Sequence, residues 1–290
     1  MLLVNSCIIF VTYKSLKMRR SFIMKLYDTG VYLQNGKEII PAAEAVPSQV
    51  TETVIATPTP TPKKPQKKGW VKTKSGIRRY YRKGKRLTGF QKIGKNYFYF
   101  SAKGTLLKNT TVNKGYKGFT YYIDNKSHVI GRKKGSTYYT ANGKKMTQVQ
   151  IANLRSKQIA AEITNSSMSK SQKLQTCFNW VIKGYYNIWR DFDQGGKDWP
   201  ATFANDHFLH HNGDCVSDAG AFAYLAKAIG YKNVYVCADA VQSNNNAHAW
   251  CEINGYVYDP LFAEAKSYSK YYGATYGSYG LYPVLKYKIS

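Results

Sequence analysis

Three residues, Cys215, His248 and Asp259, have types and spacing that suit covalent chemistry. Cys215 follows Gly213-Asp214 and opens an Ala-rich run, Ala219-Gly220-Ala221-Phe222-Ala223 with Leu225, that stops at Gly230. This predicts a tightly packed helix from Cys215 to about Ile229, with Asp214 as its N-cap. The amides of a first helical turn lack internal partners and carry partial positive charge. A thiol placed there is expected to lose its proton more readily than the free value of about 8.5. His248 lies in Ala247-His248-Ala249-Trp250-Cys251, and Asp259 ends Tyr256-Val257-Tyr258-Asp259. Between them Asn254-Gly255 is a strong two-residue hairpin signal. Such a turn pairs Ile253 with Tyr256, Glu252 with Val257, Cys251 with Tyr258 and Trp250 with Asp259. His248 then shares Asp259's face as a diagonal neighbour. A carboxylate there fixes the imidazole tautomer and favours its protonated form. Nucleophile, base and orienting carboxylate together suit attack on a carbonyl carbon.

These motifs, in this order, resemble the bacterial transglutaminase-like superfamily, over about Ser169 to Phe262. The resemblance implies a papain-like α+β fold, with Cys215 as nucleophile, His248 as base and acid, and Asp259 as its partner. It implies attack on an amide and a thioester intermediate, resolved by water or by an amine. Many bacterial members resemble proteases more than cross-linkers, so hydrolysis is the expected outcome. The family's donor to the carbonyl oxygen, upstream of the cysteine, has no unambiguous match. The Cys215 amide is one donor; Trp199, His211 and Asn212 are side-chain candidates.

Other chemistries compete. His207, His210, His211, Cys215 and His248 offer metal ligands, but His207 and His211 lack the glutamate of a zinc-protease helix and no paired-cysteine spacing appears. Asp191 and Asp193 beside Gly195-Gly196 are too few for a calcium loop. No metal or cofactor is expected. Cys7 and Cys177 read as buried packing residues. Cys237 and Cys251 fall in neighbouring expected strands, either as a disulfide or as buried thiols.

The positioning elements follow from periodicity. Ile151–Ile163 and Ser169–Tyr186 carry apolar residues at helical spacing. Val234–Ala238, Ala247–Ile253 and Tyr256–Tyr258 read as strands. Three helices followed by strands make an α+β domain over 147–290. Tyr271–Tyr282, rich in Gly and Tyr, reads as a loop-rich edge.

Residues 63–146 are different. They hold 24 Lys/Arg against one acid, Asp124, a net of +23 in a chain whose total is +27. The flanking stretches, 1–62 and 147–290, are each near +2. Aromatic clusters recur at Tyr80-Tyr81, Tyr97-Phe98-Tyr99-Phe100, Tyr121-Tyr122 and Tyr138-Tyr139, with glycines between. Short aromatic runs between glycine turns predict hairpins, and a period near 20 residues predicts a stacked β-solenoid over 69–146. The pattern Gly69-Trp70, Gly76, Tyr80-Tyr81, Gly84, Thr88-Gly89-Phe90, Gly94, Tyr97 resembles the cell-wall-binding repeats of Gram-positive surface proteins, which include choline-binding and glucan-binding modules. Choline-binding members cage a cation between aromatic rings. Here Trp70 is the segment's one tryptophan, and the lysines would repel a quaternary ammonium. An anionic wall polymer, a teichoic acid or glycan, is the expected partner. Nucleic acid also suits basic residues interleaved with aromatics, but the repeat pattern argues against it.

The first 40 residues place an apolar run before Lys14, Lys17, Arg19 and Arg20, the reverse of a secretory signal. They read as a tail or an atypical export segment. Residues 41–68, with six of the nine prolines, read as a semi-rigid linker. No apolar run is long enough to span a membrane. The expected protein is an extracellular, wall-associated thiol enzyme acting on a protein or peptide; a wall-binding scaffold with an inactive domain is the alternative.

Overall fold

The computed structural model describes residues 66–290 and, before them, only the backbone pairing of β1 (Leu33–Gln34) with β2 (Lys37–Glu38). The rest of the expected tail and linker, with Cys7, lies outside the described residues. Lys63–Ser290 forms one compact unit.

Its first part is built from antiparallel hairpins. The strands are β3 (Gly69–Lys72), β4 (Arg78–Arg82), β5 (Lys85–Arg86), β6 (Gly89–Ile93), β7 (Asn96–Phe100), β8 (Thr110–Val112), β9 (Thr120–Ile123), β10 (Val129–Lys134) and β11 (Thr137–Tyr139). They divide into sheets of three (β3-β4-β5), two (β6-β7) and four strands (β11-β10-β9-β8). Aromatic rings supply the interior that aliphatic side chains supply elsewhere. Trp70 packs edge-on to Tyr80 and Phe98 with centroids 5.1 and 5.2 Å apart. Tyr121 lies 4.9 Å from both Phe90 and Tyr99. Cations cover the outer ring faces: Arg78 over Trp70 at 4.8 Å and Arg132 over Phe119 at 4.8 Å.

The second part mixes helices with one antiparallel sheet. Its helices are α1 (Gln148–Ile163), α2 (Lys170–Val181), α3 (Trp199–His210) and α4 (Cys215–Ala228). Reciprocal capping boxes, Thr147 with Gln150 and Ser169 with Gln172, set where α1 and α2 begin. α2 ends well before the expected Tyr186. A Cβ at Gly184 would lie 2.5 Å from the His211 carbonyl oxygen, so the chain crosses the 211–213 segment there. α3 is a fourth helix that periodicity does not reveal. It is buried on nearly every side, including Phe203, Ala204, His207 and Phe208, so no polar stripe marks it. α4 crosses α3 closely, because a Cβ at Gly220 would lie 2.7 Å from the Pro200 carbonyl oxygen.

The sheet has the order β15-β14-β13-β12-β16 and is antiparallel throughout, made of β12 (Val234–Ala238), β13 (Ala249–Ile253), β14 (Tyr256–Tyr258), β15 (Tyr272–Ala274) and β16 (Leu285–Lys288). Asn254 and Gly255 both take positive φ, 53° and 88°, as the tight hairpin turn requires. α5 (Pro260–Ala265), α6 (Tyr268–Tyr271) and α7 (Tyr276–Tyr279) are short. Tyr271–Tyr282 therefore carries a sheet-edge strand and a helical turn where an edge loop is expected.

The hairpins and helices share a buried seam. Leu154 of α1 packs with Tyr122, Tyr138 and Met146. Arg155 donates to the Tyr138 hydroxyl at 3.3 Å and to the Phe208 carbonyl.

Candidate active site

α4 begins at Cys215. Asp214 is its N-cap, its Oδ1 accepting from the Ser217 amide at 2.8 Å. The Cys215 Sγ donates to the Ala247 carbonyl at 3.6 Å, and the Ala249 amide faces the sulfur. The thiol therefore lies between the two peptide groups that flank His248. α4 packs on β13, which brings these distant segments together.

The His248 backbone is fixed by Asp239: its amide donates to Asp239 Oδ1 at 2.7 Å, and its carbonyl accepts from the Asp239 amide at 3.1 Å. Its ring stacks on Phe262, with centroids 4.0 Å apart and planes 13° from parallel. Its Nε2 bonds Asp259 Oδ2 at 2.6 Å. Donation from Nε2 leaves Nδ1 as the basic nitrogen, the tautomer a general base needs.

The hairpin register is as expected from Cys251–Tyr258 to Ile253–Tyr256. The expected Trp250–Asp259 pair is absent. Asp259 instead leaves the sheet as the N-cap of α5, with Oδ1 accepting from the Phe262 amide at 3.0 Å and Pro260 in the first turn. The fully buried Asp259 is also held by Tyr279, whose hydroxyl donates to Oδ2 at 2.7 Å. Asp239, Phe262 and Tyr279 contact the candidate residues and were missed by sequence reasoning. Asp259-Pro260 was a readable helix-start signal; Tyr279 had none.

The ionisation expected for Cys215 is reversed. Burial, then the negative charge of Asp214, with Asp259 and Asp218 adding, pushes the thiol up to about 12. The Ala249 amide acts in the opposite direction. Desolvation is the largest cause and opposes the thiolate. The resting side chain is a thiol.

The side-chain donor candidates are placed as follows. Trp199 is buried against Phe192, 5.0 Å between centroids, and packs on Tyr287; it is a core residue. His211 caps α3 in a left-handed conformation and stacks 4.2 Å from Trp180. Asn212 Oδ1 accepts from Trp189 Nε1 at 2.8 Å.

The remaining histidines are occupied separately. His207 is buried with Nδ1 2.8 Å from Asp218 Oδ1, and His210 stacks on Trp189. Among the described residues no group of three or more His, Cys, Asp or Glu could hold a metal. Cys177, Cys237 and Cys251 are buried free thiols.

A family model described as the transglutaminase-like superfamily matches residues 157–266. No curated protein matches the chain. Among solved structures, the choline binding domain of Spr1274 in Streptococcus pneumoniae is 20% identical, over 22% of this chain and 92% of that one, with TM-score 0.19. Choline binding protein F from Streptococcus pneumoniae is 25% identical, over 28% of each chain, with TM-score 0.21. Alternansucrase in complex with isomaltononaose is 24% identical, over 27% of this chain and 6% of that one, with TM-score 0.22.

Proposed function

We propose that this chain is a wall-associated, cell-surface cysteine enzyme that attacks amide bonds, with Cys215 as nucleophile, His248 as base and acid, and Asp259 as the group that orients His248. One observation carries the reading: the 2.6 Å His248–Asp259 bond directs Nδ1 away from the carboxylate, while the Cys215 thiol sits against the peptide groups on either side of His248. The match to a transglutaminase-like model over 157–266 supports a cysteine-based chemistry and a papain-like arrangement of α4 and the sheet.

In this mechanism the Cys215 proton passes to His248 Nδ1 as the sulfur attacks the amide carbon. Asp259 stabilises the imidazolium. The C–N bond breaks, the amine leaves with the proton from His248, and a thioester remains. Water attacks the thioester, His248 takes its proton, and the sulfur departs as the thiol once that proton returns. An amine in place of water completes transamidation. The substrate is a protein or peptide, and hydrolysis is the preferred outcome.

The 69–146 hairpins, read as a small solenoid, hold the enzyme to an anionic wall polymer. Their charge supports this, as do the ring faces covered by Arg78 and Arg132, where a quaternary ammonium would otherwise sit.

A second reading, a non-catalytic wall-binding scaffold, draws on the high thiol pKa and on the thiol's bond to the Ala247 carbonyl instead of the imidazole. Amide and ester hydrolysis by the full chain separates the two. Activity that Cys215→Ala and His248→Ala abolish, with polymer binding intact, supports the enzyme. Activity undiminished in Cys215→Ala would sink it.

A further inference from the structure

We propose that Tyr186 is a further catalytic residue, whose phenol donates a hydrogen bond to the carbonyl oxygen that becomes negative when the Cys215 sulfur attacks. The inference rests on the reading of Cys215 as nucleophile.

After α2 the chain runs extended beside the residues that lead into α4. Tyr186 pairs with Gly213 in a parallel bridge, and the Asn187 amide donates to the Gly213 carbonyl at 3.0 Å. Tyr186 thus lies level with the residue two before the nucleophile. Paired residues of neighbouring strands project to the same face. At Gly213 that face leads onto the first turn of α4, since a Cβ there would collide with the Ser217 Cβ and lie 3.3 Å from Asp218 Oδ1. Tyr185, one residue earlier, takes the opposite face and is 69% exposed.

The phenol is positioned and protonated for the role. Tyr186 is 56% exposed, so a substrate reaches it. Burial of its inner part, then the charges of Cys215, Asp214 and Asp218, push the phenol up, so it keeps its proton at neutral pH and can donate. Asp214 and Asp218 act on both the phenol and the sulfur.

The site also needs such a donor. Asp214, Asp218 and Asp259 all bear on Cys215 with negative charge. A second anion forming there on the substrate oxygen is costly unless donors point at it. The Cys215 amide is one, as a first-turn N–H outside the helical ladder. On the same segment Trp189 Nε1 is committed to Asn212, and the Arg190 guanidinium to Asp206 at 2.5 and 2.8 Å. Tyr186 makes no such bond among the described residues.

Two reagents on the full-length chain test this. p-Nitrophenyl acetate acylates through a tetrahedral oxyanion. Iodoacetamide alkylates by displacement at a saturated carbon and forms none. Both are read as modification of the Cys215 peptide, with Cys215→Ala as background. Tyr186→Phe is expected to slow acylation about 10²-fold and to leave alkylation within about twofold. Unchanged acylation in Tyr186→Phe, with wild type reactive, would overturn the proposal and leave the proposed function standing. Equal loss of both reactions would also overturn it, because Tyr186 would then act by placing the thiol. A wild type that the ester does not acylate at Cys215 would overturn both readings together.

Discussion

The hairpin region and the helical region are both rich in aromatic residues and use them in opposite ways. In the hairpins the rings form the core, and cations lie on their outer faces, as Arg78 does on Trp70. Beyond residue 147 three phenols act as hydrogen-bond donors to buried or half-buried polar groups. Tyr279 holds Asp259, Tyr276 holds Glu252 at 2.7 Å, and Tyr268 holds Asn179 at 2.8 Å. The first pattern leaves a dense positive surface, with no hairpin Lys or Arg in a salt bridge among the described residues. In the second, Tyr279 holds a carboxylate that bears on the Cys215 thiol. An aromatic-rich composition therefore says little about function until the charges around each ring are known.

The sharpest break between the regions is Cys215→Ala. Amide hydrolysis is expected to fall to background, while binding of the full chain to a polyanionic wall polymer stays within about twofold; a pull-down beside the hydrolysis assay reads both. The reverse separation comes from salt. Raising it from 50 to 200 mM shortens the Debye length from about 14 to about 7 Å. Polymer binding should weaken by at least about tenfold, while turnover of a small neutral ester hardly changes. Salt-insensitive binding displaced by free choline would refute the anionic-polymer reading.

Within the helical region, His248→Ala isolates the thiol. With its pKa raised to about 12, the thiolate fraction grows about tenfold per pH unit all the way through pH 8–11. Iodoacetamide alkylation of Cys215 in this variant should climb without a plateau below about pH 11. A plateau near pH 8 would mean that the helix end outweighs burial after all. The smallest effect is that of Tyr279→Phe. It removes one of two side-chain donors to Asp259 Oδ2. Loss of a hydrogen bond to a buried carboxylate costs about 1–3 kcal/mol. Chemical denaturation should show a loss in this range, with hydrolysis falling a few-fold.

What the sequence by itself determined is local. Asp214 before an alanine-rich run marked the start of α4, and Asn254-Gly255 set the hairpin register, because caps and tight turns depend on a few adjacent residues. The charge of 63–146 and its aromatic spacing were likewise readable without coordinates. Where periodicity was absent, reading failed: α3 is buried on nearly every side, and the apolar run through Tyr185 and Tyr186 imitated a longer α2.

Only the tertiary structure decided the ionisation of Cys215 and the partners of Asp259. A helix end favours a thiolate in isolation, but α4 buries that end among Asp214, Asp218 and Asp259, and desolvation in company with like charge wins. Tyr279 reaches Asp259 across 20 residues that hold two short helices and β15, and Tyr186 meets Gly213, just before α4, through a single bridge. Neither meeting is specified by local pattern, because each depends on where separate segments cross once the core has packed.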